Sequence, residues 1–355
     1  MIKPKITPAN QPLSEAKRKL GCTDSNWTDN FSRQLAELFL VNHPQLMGTT
    51  KFKSKQDAFI QARLSSKTDQ AGNYIYYPWS NILLRVLMES ELNQLRTNRN
   101  QLLISAQEQQ KLLNSSVTVL GLSIGSVIAR NLVQSGIGKR VVIADGDRFD
   151  LTNLNRVPEG LAVIGQKKAE ICAQRLYEIN PYLSIEKYSE GISQEILPQL
   201  FSEKELPQLI IEETDDFVLK IKVRRMARSH KIPVIMATCL GDSVLIDIER
   251  FDLDNQTPIF HGKISEEELS KVESGSITEE DKKRLAILLV GKQYVPAKAI
   301  ESVQEIGKTL VGRPQLFSSV SVAAGSLTFV AREILLGNQL KSQRTLLPFA
   351  QSLSE

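Results

Sequence analysis

The sequence predicts an α/β fold: a Rossmann-like, mostly parallel sheet with helices on both faces, plus a smaller N-terminal α+β domain. Two observations carry this. From Val117 onward, short apolar strand runs alternate with segments of helical periodicity, the pattern of parallel strands linked by crossover helices. The first of those strands enters a turn, Gly121-Leu122-Ser123-Ile124-Gly125, that opens a helix. A chain of 355 residues has room for two domains. The expected division is an N-terminal domain at 1–92 and a second at 93–355.

Residues 1–20 carry five basic residues and one acidic residue and read as a mobile arm. Between Thr28 and Asn42, Phe31, Leu35, Leu38 and Phe39 recur at helical spacing, and Asn42-His43-Pro44 ends the run. The stretch from Gly48 to Lys55 is polar. Tyr74 to Trp79 is aromatic and contains Pro78, which predicts a short edge strand or a turn. Ile82 to Leu95 reads as helix, and Ser105-Ala106-Gln107-Glu108 as a capping box opening a short helix that ends near Leu113.

Strands are then expected at 117–120, 140–144, 208–212 and 232–237, and helices at 127–135, 166–179 and 216–229. After Cys239 the pattern stays strand-like through Phe251. Residues 263–284 hold seven acids and five bases, and the 263–290 stretch reads as solvated short helices, a charged flap or a crossover. Pro314 to Gly337 reads as a packing helix.

Composition excludes several classes. Three cysteines with no C-x-x-C pair exclude a disulfide framework and a thiolate zinc ribbon. A net charge of +4 is too diffuse to imply nucleic-acid binding. No apolar core follows Met1-Ile2-Lys3-Pro4-Lys5, so no secretory signal is expected, and no uninterrupted apolar run approaches the ~18–20 residues of a membrane span. The expectation is a cytoplasmic protein with no membrane partner.

A strand entering a Gly-containing turn at a helix N-terminus suits an anion, because backbone amides and the helix dipole both point at it. Asp145 lies 24 residues after Gly121, at the end of the next strand, where an acid accepts hydrogen bonds from a ribose. The same five residues also match a G-x-S-x-G nucleophile elbow, with Ser123 as nucleophile and His230 or His261 as base.

Further motifs follow in order: Asp145-Gly146-Asp147, Thr152-Asn153-Leu154-Asn155-Arg156, Gly165-Gln166-Lys167-Lys168 and Glu213-Thr214-Asp215-Asp216-Phe217. In this order and at this spacing they resemble the ThiF/MoeB adenylating family, relatives of ubiquitin-activating enzymes. That family is marked by a Gly-rich turn, D-x-D, S-N-L-N-R, G-x-x-K and T-D-N. The likeness covers residues 96–240.

The resemblance implies an enzyme in which a carboxylate attacks the α-phosphorus of ATP. Both reactants are anions, so such a site must neutralise charge and fix an in-line geometry. By resemblance, Gly121, Ser123 and Gly125 form the phosphate turn and Asp145 holds the ribose, with Asp147 assisting. Asn153, Arg156 and Lys168 contact the triphosphate, and Asp215 holds Mg²⁺. Read singly, Arg156 and Lys168 could be surface cations, and Asp215 could cap the following helix. The family commonly inserts an arginine from a partner subunit, so Arg96 or Arg99 is the candidate trans contact, and a homodimer is implied.

The chain departs from the family pattern. Its turn is one residue short, and Ser123 stands where a glycine is expected. The zinc-binding C-x-x-C pairs are absent, so no zinc is expected. Cys172 reads as core, and a thioester role for Cys239 is conceivable. These departures resemble the zinc-less, peptide-maturing branch that includes the pantocin A and microcin C enzymes. The implied substrate is a ribosomal precursor peptide activated at a carboxylate, a glutamate side chain, on the way to modification or cyclisation in antibiotic biosynthesis. Residues 1–92 would then clamp a leader segment, by strand addition or helix-in-groove. The alternative is activation of the C-terminal glycine of a ubiquitin-like or sulfur-carrier protein.

Overall fold

A computed structural model describes residues 3–202 and 206–354 of the chain. They fall into two units, one of residues 1–109 with 134–136 and 176–182, the other of 110–133, 137–175 and 183–355.

The N-terminal unit runs β1 (Lys5–Pro8), α1 (Leu13–Leu20), β2 (Asn26–Thr28), α2 (Phe31–Asn42), α3 (Phe52–Leu64), β3 (Asn73–Tyr77), β4 (Ile82–Val86) and α4 (Glu89–Arg96). Its sheet has the order β1-β3-β4-β2. Three expectations need correction here. The presumed arm is built into the unit: β1 pairs with β3, and Ala16 and Leu20 of α1 are buried. Lys3, Lys5, Arg18 and Lys19 are exposed, so charge counting saw the outer face, although Lys5 Nζ also donates to the Leu20 carbonyl at 2.8 Å. The strand at 73–77 lies between β1 and β4 and is not an edge, because Pro78 falls just past its end and leaves the ladder intact. Finally, 82–95 is a strand followed by a helix; Leu83 pairs into the sheet where periodicity alone suggested one continuous helix.

After α5 (Ala106–Leu113), the second unit runs β5 (Ser116–Leu120), α6 (Ile124–Gln134), β6 (Arg140–Ala144), α7 (Lys168–Ile179), β7 (Ser184–Tyr188), β8 (Leu209–Glu212), α8 (Phe217–Ser229), β9 (Val234–Cys239) and β10 (Val244–Glu249). It continues with α9 (Glu266–Glu273), α10 (Glu279–Val290), α11 (Ala297–Glu305), α12 (Phe317–Leu336), β11 (Gln343–Leu347) and α13 (Phe349–Ser354). The sheet order is β11-β10-β9-β8-β5-β6-β7. Strands β9, β8, β5, β6 and β7 are parallel; β10 pairs antiparallel with β9, and β11 pairs antiparallel with β10, so only β10 runs against the rest. The apolar runs of β5, β6 and β8 are buried on both faces, as a parallel sheet covered by helices requires.

The chain steps from β5 outward to β6 and β7, then returns to the other side of β5 with β8. The carboxyl ends of β5 and β8 therefore form a topological switch point, where open α/β sheets bind ligands. The charged 263–290 stretch folds as α9 and α10, and Leu269, Val272, Leu285 and Leu289 pack into the core beside Phe251 and Phe260. Helix α12 is long and apolar enough to span a membrane, but half of it is buried and it packs on β9 and β10. Gly337 closes it at φ +86°, a left-handed cap that favours glycine.

Candidate functional site

The turn after β5 is fixed by close approach. Gly121 has φ +83°, and a Cβ there would lie 2.5 Å from the Glu213 carbonyl oxygen. Only glycine lets β5 and the end of β8 come this near. Gly125, in the first turn of α6, would place a Cβ 3.0 Å from Val119 Cγ1, so it sets how closely the helix sits on the strand. Because α6 starts at Ile124, its first amides open at the strand ends, where an anion is favoured.

Asp145, one residue past β6, ties this turn to the next loop. Its Oδ2 accepts the Leu122 amide at 2.6 Å, and its Oδ1 accepts the Asp147 amide at 2.8 Å. Each oxygen keeps a further lone pair. Asp147 then accepts a hydrogen bond from Lys168 Nζ at 2.8 Å. Lys168 is buried at the start of α7 with 8% of its side chain exposed, whereas Asp147 is exposed. A buried ammonium with three donors is thus aimed at the rim, with one donor used by Asp147.

Asn153 is buried in a reciprocal cap: its Oδ1 accepts the Asp150 amide at 3.1 Å. It holds the turn that carries Arg156. Arg156 Nη1 donates to the Thr152 carbonyl and to Asn155 Oδ1, both at 2.9 Å, and its buried Nε has no partner. Burial lowers the pKa of this guanidinium, and the nearby Asp215 carboxylate opposes that shift, which places Arg156 and Asp215 within electrostatic reach. Asp215 is 95% exposed and its Oδ1 lies 3.3 Å from Arg313 Nη2. The cap of α8 is Asp216, whose Oδ1 accepts the Val218 and Leu219 amides at 2.9 and 3.1 Å. Asp215 is therefore spared from capping and projects at the end of β8.

Asp145, Asp147, Lys168, Arg156 and Asp215 thus gather around the carboxyl ends of β5, β6 and β8. Arg96 closes α4 and Arg99 lies in the turn after it, and both belong to the other unit. Ser123 has a buried hydroxyl without a partner. His230 bonds the Met226 carbonyl at the end of α8, and His261 Nε2 lies 3.2 Å from Asp247 of β10. Neither histidine is held on Ser123, so the nucleophile-elbow reading finds no triad.

Sequence reasoning missed two residues. Arg313 reaches Asp215 from the segment before α12, while Asn155 Nδ2 donates to the Gln315 carbonyl at 2.8 Å and ties that segment to the Arg156 loop. No sequence signal marks this contact, which spans 160 positions. Glu213 is the other; it stands inside the E-T-D motif, but nothing in the motif shows its surroundings. The cysteines are quiet. Cys172 is buried and its thiol is pushed up to about 12 by burial, and burial likewise pushes Cys239 up to about 11. Neither is a thiolate near neutral pH. Among the described residues, no three His, Cys, Asp or Glu side chains are grouped to hold a metal.

A model described as the ThiF family matches residues 97–351. An uncharacterized protein of Mycobacterium tuberculosis is 35% identical over 276 residues, which is 78% of this chain and 38% of that protein. This chain therefore spans well under half the length of that relative. Among solved structures, PaaA aligns with a TM-score of 0.53 at 20% identity, over 87% of this chain and 92% of its own. Escherichia coli MccB with ATP aligns with a TM-score of 0.52 at 18% identity, over 89% and 82%. These two likenesses show a shared fold.

Proposed function

Because this chain belongs to the ThiF family, we propose that it is a cytoplasmic ATP-dependent adenylyltransferase acting on a ribosomally made precursor peptide. The acceptor is a carboxylate, a glutamate side chain, activated for modification or cyclisation in natural-product biosynthesis. The observation that carries this reading is the cluster at the switch point: buried Lys168, half-buried Arg156 and exposed Asp215 around a turn stitched by Asp145. The likeness to MccB, solved with ATP, supports the nucleotide.

In this reading the amides of Ser123 to Gly125 and the N-terminus of α6 face the phosphates, while the Leu122 amide stays on Asp145. Asp145 uses its remaining lone pairs for the ribose hydroxyls, and Lys168 and Arg156 draw charge from the triphosphate as the substrate oxygen approaches. Asn153 acts through the loop it braces. Asp215 fits Mg²⁺, an ion that takes one or two carboxylates and completes its shell with phosphate oxygens and water, so a three-residue protein cage is not required. When bound, Mg²⁺ would neutralise phosphate charge and ease departure of pyrophosphate. Arg96 or Arg99 of a second copy completes the site in a homodimer, and the N-terminal 1–92 region holds the peptide.

The test is ATP–pyrophosphate exchange with a synthetic peptide from the neighbouring short reading frame. Exchange that depends on the peptide is expected, with a loss of about 100-fold or more in Arg156→Ala and in Asp215→Ala. Full exchange in either variant removes that residue from the site. Exchange driven only by a small protein ending in Gly-Gly would select the sulfur-carrier or ubiquitin-like alternative.

A further inference from the structure

One stretch of the second unit is folded without a core of its own. Across 291–318 no described side chain is buried. The stretch includes α11, a helix of nine residues. Ile300, Ile306 and Leu316 are exposed, and Val311 is 95% exposed. Single exposed apolar side chains are ordinary, but a run of them is not. Isolated helices shorter than about 12–15 residues are marginal in water. Helix α11 therefore draws little support from its own copy, and a covering surface has to come from outside it. The far end of this strap is tied down at the candidate site. Asn155 Nδ2 donates to the Gln315 carbonyl at 2.8 Å, and Arg313 Nη2 lies 3.3 Å from Asp215 Oδ1.

The N-terminal unit holds the matching feature. Leu102 and Leu103, three and four residues after Arg99, are both almost wholly exposed. Leu102 has φ +71°, a left-handed conformation that a side chain makes costly. It persists because its neighbours are fixed. The Leu103 and Ile104 amides both donate to the Asn100 carbonyl, at 3.1 and 2.9 Å, and Asn100 Nδ2 donates to Gln109 Oε1 at 2.8 Å. The loop is a stiff mount that holds two leucines in water.

We infer that Leu102 and Leu103 of one copy dock on the 300–316 strap of a second copy, and that this contact seats Arg99 in the second copy's site. The inference rests on the homodimer of the reading above. Chain reach supports the pairing. Three residues span at most about 11 Å, so a loop that delivers Arg99 to another copy carries its leucines within that distance. Val311 and Leu316 lie two and three residues from Arg313, which already meets Asp215, so they flank the same entrance. In a two-fold dimer each copy gives one leucine pair and one strap, so the contact is made twice and closes. Both uncovered features are then covered by the approach that completes the site. A precursor peptide lying on the strap would leave the leucines in water.

The test uses one double variant on each side, Leu102→Ser/Leu103→Ser on the loop and Val311→Ser/Leu316→Ser on the strap. In sedimentation velocity the wild-type chain should run as a dimer. Either variant should raise the dissociation constant by about 100-fold or more, the scale of two aliphatic side chains returned to water. A copy carrying Leu103→Cys and a differently tagged copy carrying Val311→Cys should join through a short bismaleimide, above the level set by the three native cysteines. A wild-type monomer, a dimer of unchanged affinity in either variant, or no cross-link between copies overturns the surface. A wild-type monomer whose strap is shielded from proteolysis by the synthetic neighbouring-frame peptide would assign the strap to the substrate instead. None of these readouts needs activity. A dimer that responds as expected but shows no pyrophosphate exchange keeps this surface and removes the adenylation reading; exchange by a wild-type monomer removes the surface alone.

Discussion

Glu212 and Glu213 are adjacent in sequence and sit on opposite faces of one sheet. Alternation at the end of β8 sends them apart. On one face Glu212 is wholly buried among cations of α8, with Lys220 Nζ at 3.0 Å and Arg224 Nη1 at 2.7 Å. Burial raises its carboxyl, but Lys220 and Arg224 outweigh that and hold it at about 2. On the other face Glu213 meets the first turn of α6 and one amide of β9, and burial pushes it up to about 8. The same side chain becomes a permanent anion on one face and a titrating acid on the other. The neighbours on each face decide the charge, and the motif position does not.

The largest expected effect breaks the Glu212 side. Arg224 is fully buried between Glu212 and Glu249, with Nε 2.6 Å from the latter. Arg224→Ala leaves two carboxylates buried without their cation and should cost about 3–5 kcal/mol in urea unfolding. A loss below about 1 kcal/mol would mean that the network is not maintained in solution.

The second prediction sets the two faces against each other by pH. A carboxyl held below its unfolded value stabilises the fold above that value and loses this as pH falls through the folded one. Glu212 therefore contributes fully above pH ~4.5 and progressively less toward pH ~2. A carboxyl held above its unfolded value does the reverse. Glu213 weakens the fold as pH rises from ~4.5 toward 8. Glu213→Gln should then be more stable than the wild type at pH 9 by roughly 2–3 kcal/mol, and nearly equal to it at pH 5. Parallel stability profiles for the two proteins would contradict the assignment.

A third prediction moves to the β5–β6 end. Asp145→Ala orphans the Leu122 and Asp147 amides. It should cost about 1–3 kcal/mol of stability and abolish ATP binding measured by calorimetry. Retained binding would assign the ribose contact elsewhere. The smallest effect belongs to Ser123, whose buried hydroxyl has no partner. Ser123→Ala should change thermal stability by less than about 1 kcal/mol, in the stabilising direction, since no hydrogen bond is lost. A clear destabilisation would reveal a partner for that hydroxyl.

Much of the sheet was legible because its signals are local. Val117 to Leu120 and Arg140 to Ala144 are β-rich apolar runs, and Ser105 and Glu108 form the reciprocal cap their spacing predicts. The N-terminal unit was harder. β1 and β4 are held by pairing with β3, tens of residues away from β1, and their composition carries no period that separates strand from arm or helix. The site divided in the same way. The turn, Asp145, Lys168 and Asp215 follow one another at motif spacing, whereas Arg313 reaches Asp215 across 98 positions from a segment with no motif.

The sequence by itself determined most of the strand and helix order from β5 to β9, the glycine at Gly121 that lets β5 and β8 approach, and the set of charged groups carried to the strand ends. These depend on near neighbours and on side-chain periods of two or about four residues. Only the tertiary structure decided that Asp216 caps α8 and frees Asp215, that Arg313 meets that carboxylate, and that Glu212 and Glu213 carry opposite shifts. Those outcomes depend on burial and on partners brought from distant segments, and Coulomb and desolvation energies are functions of distance in space, to which spacing along the chain is blind.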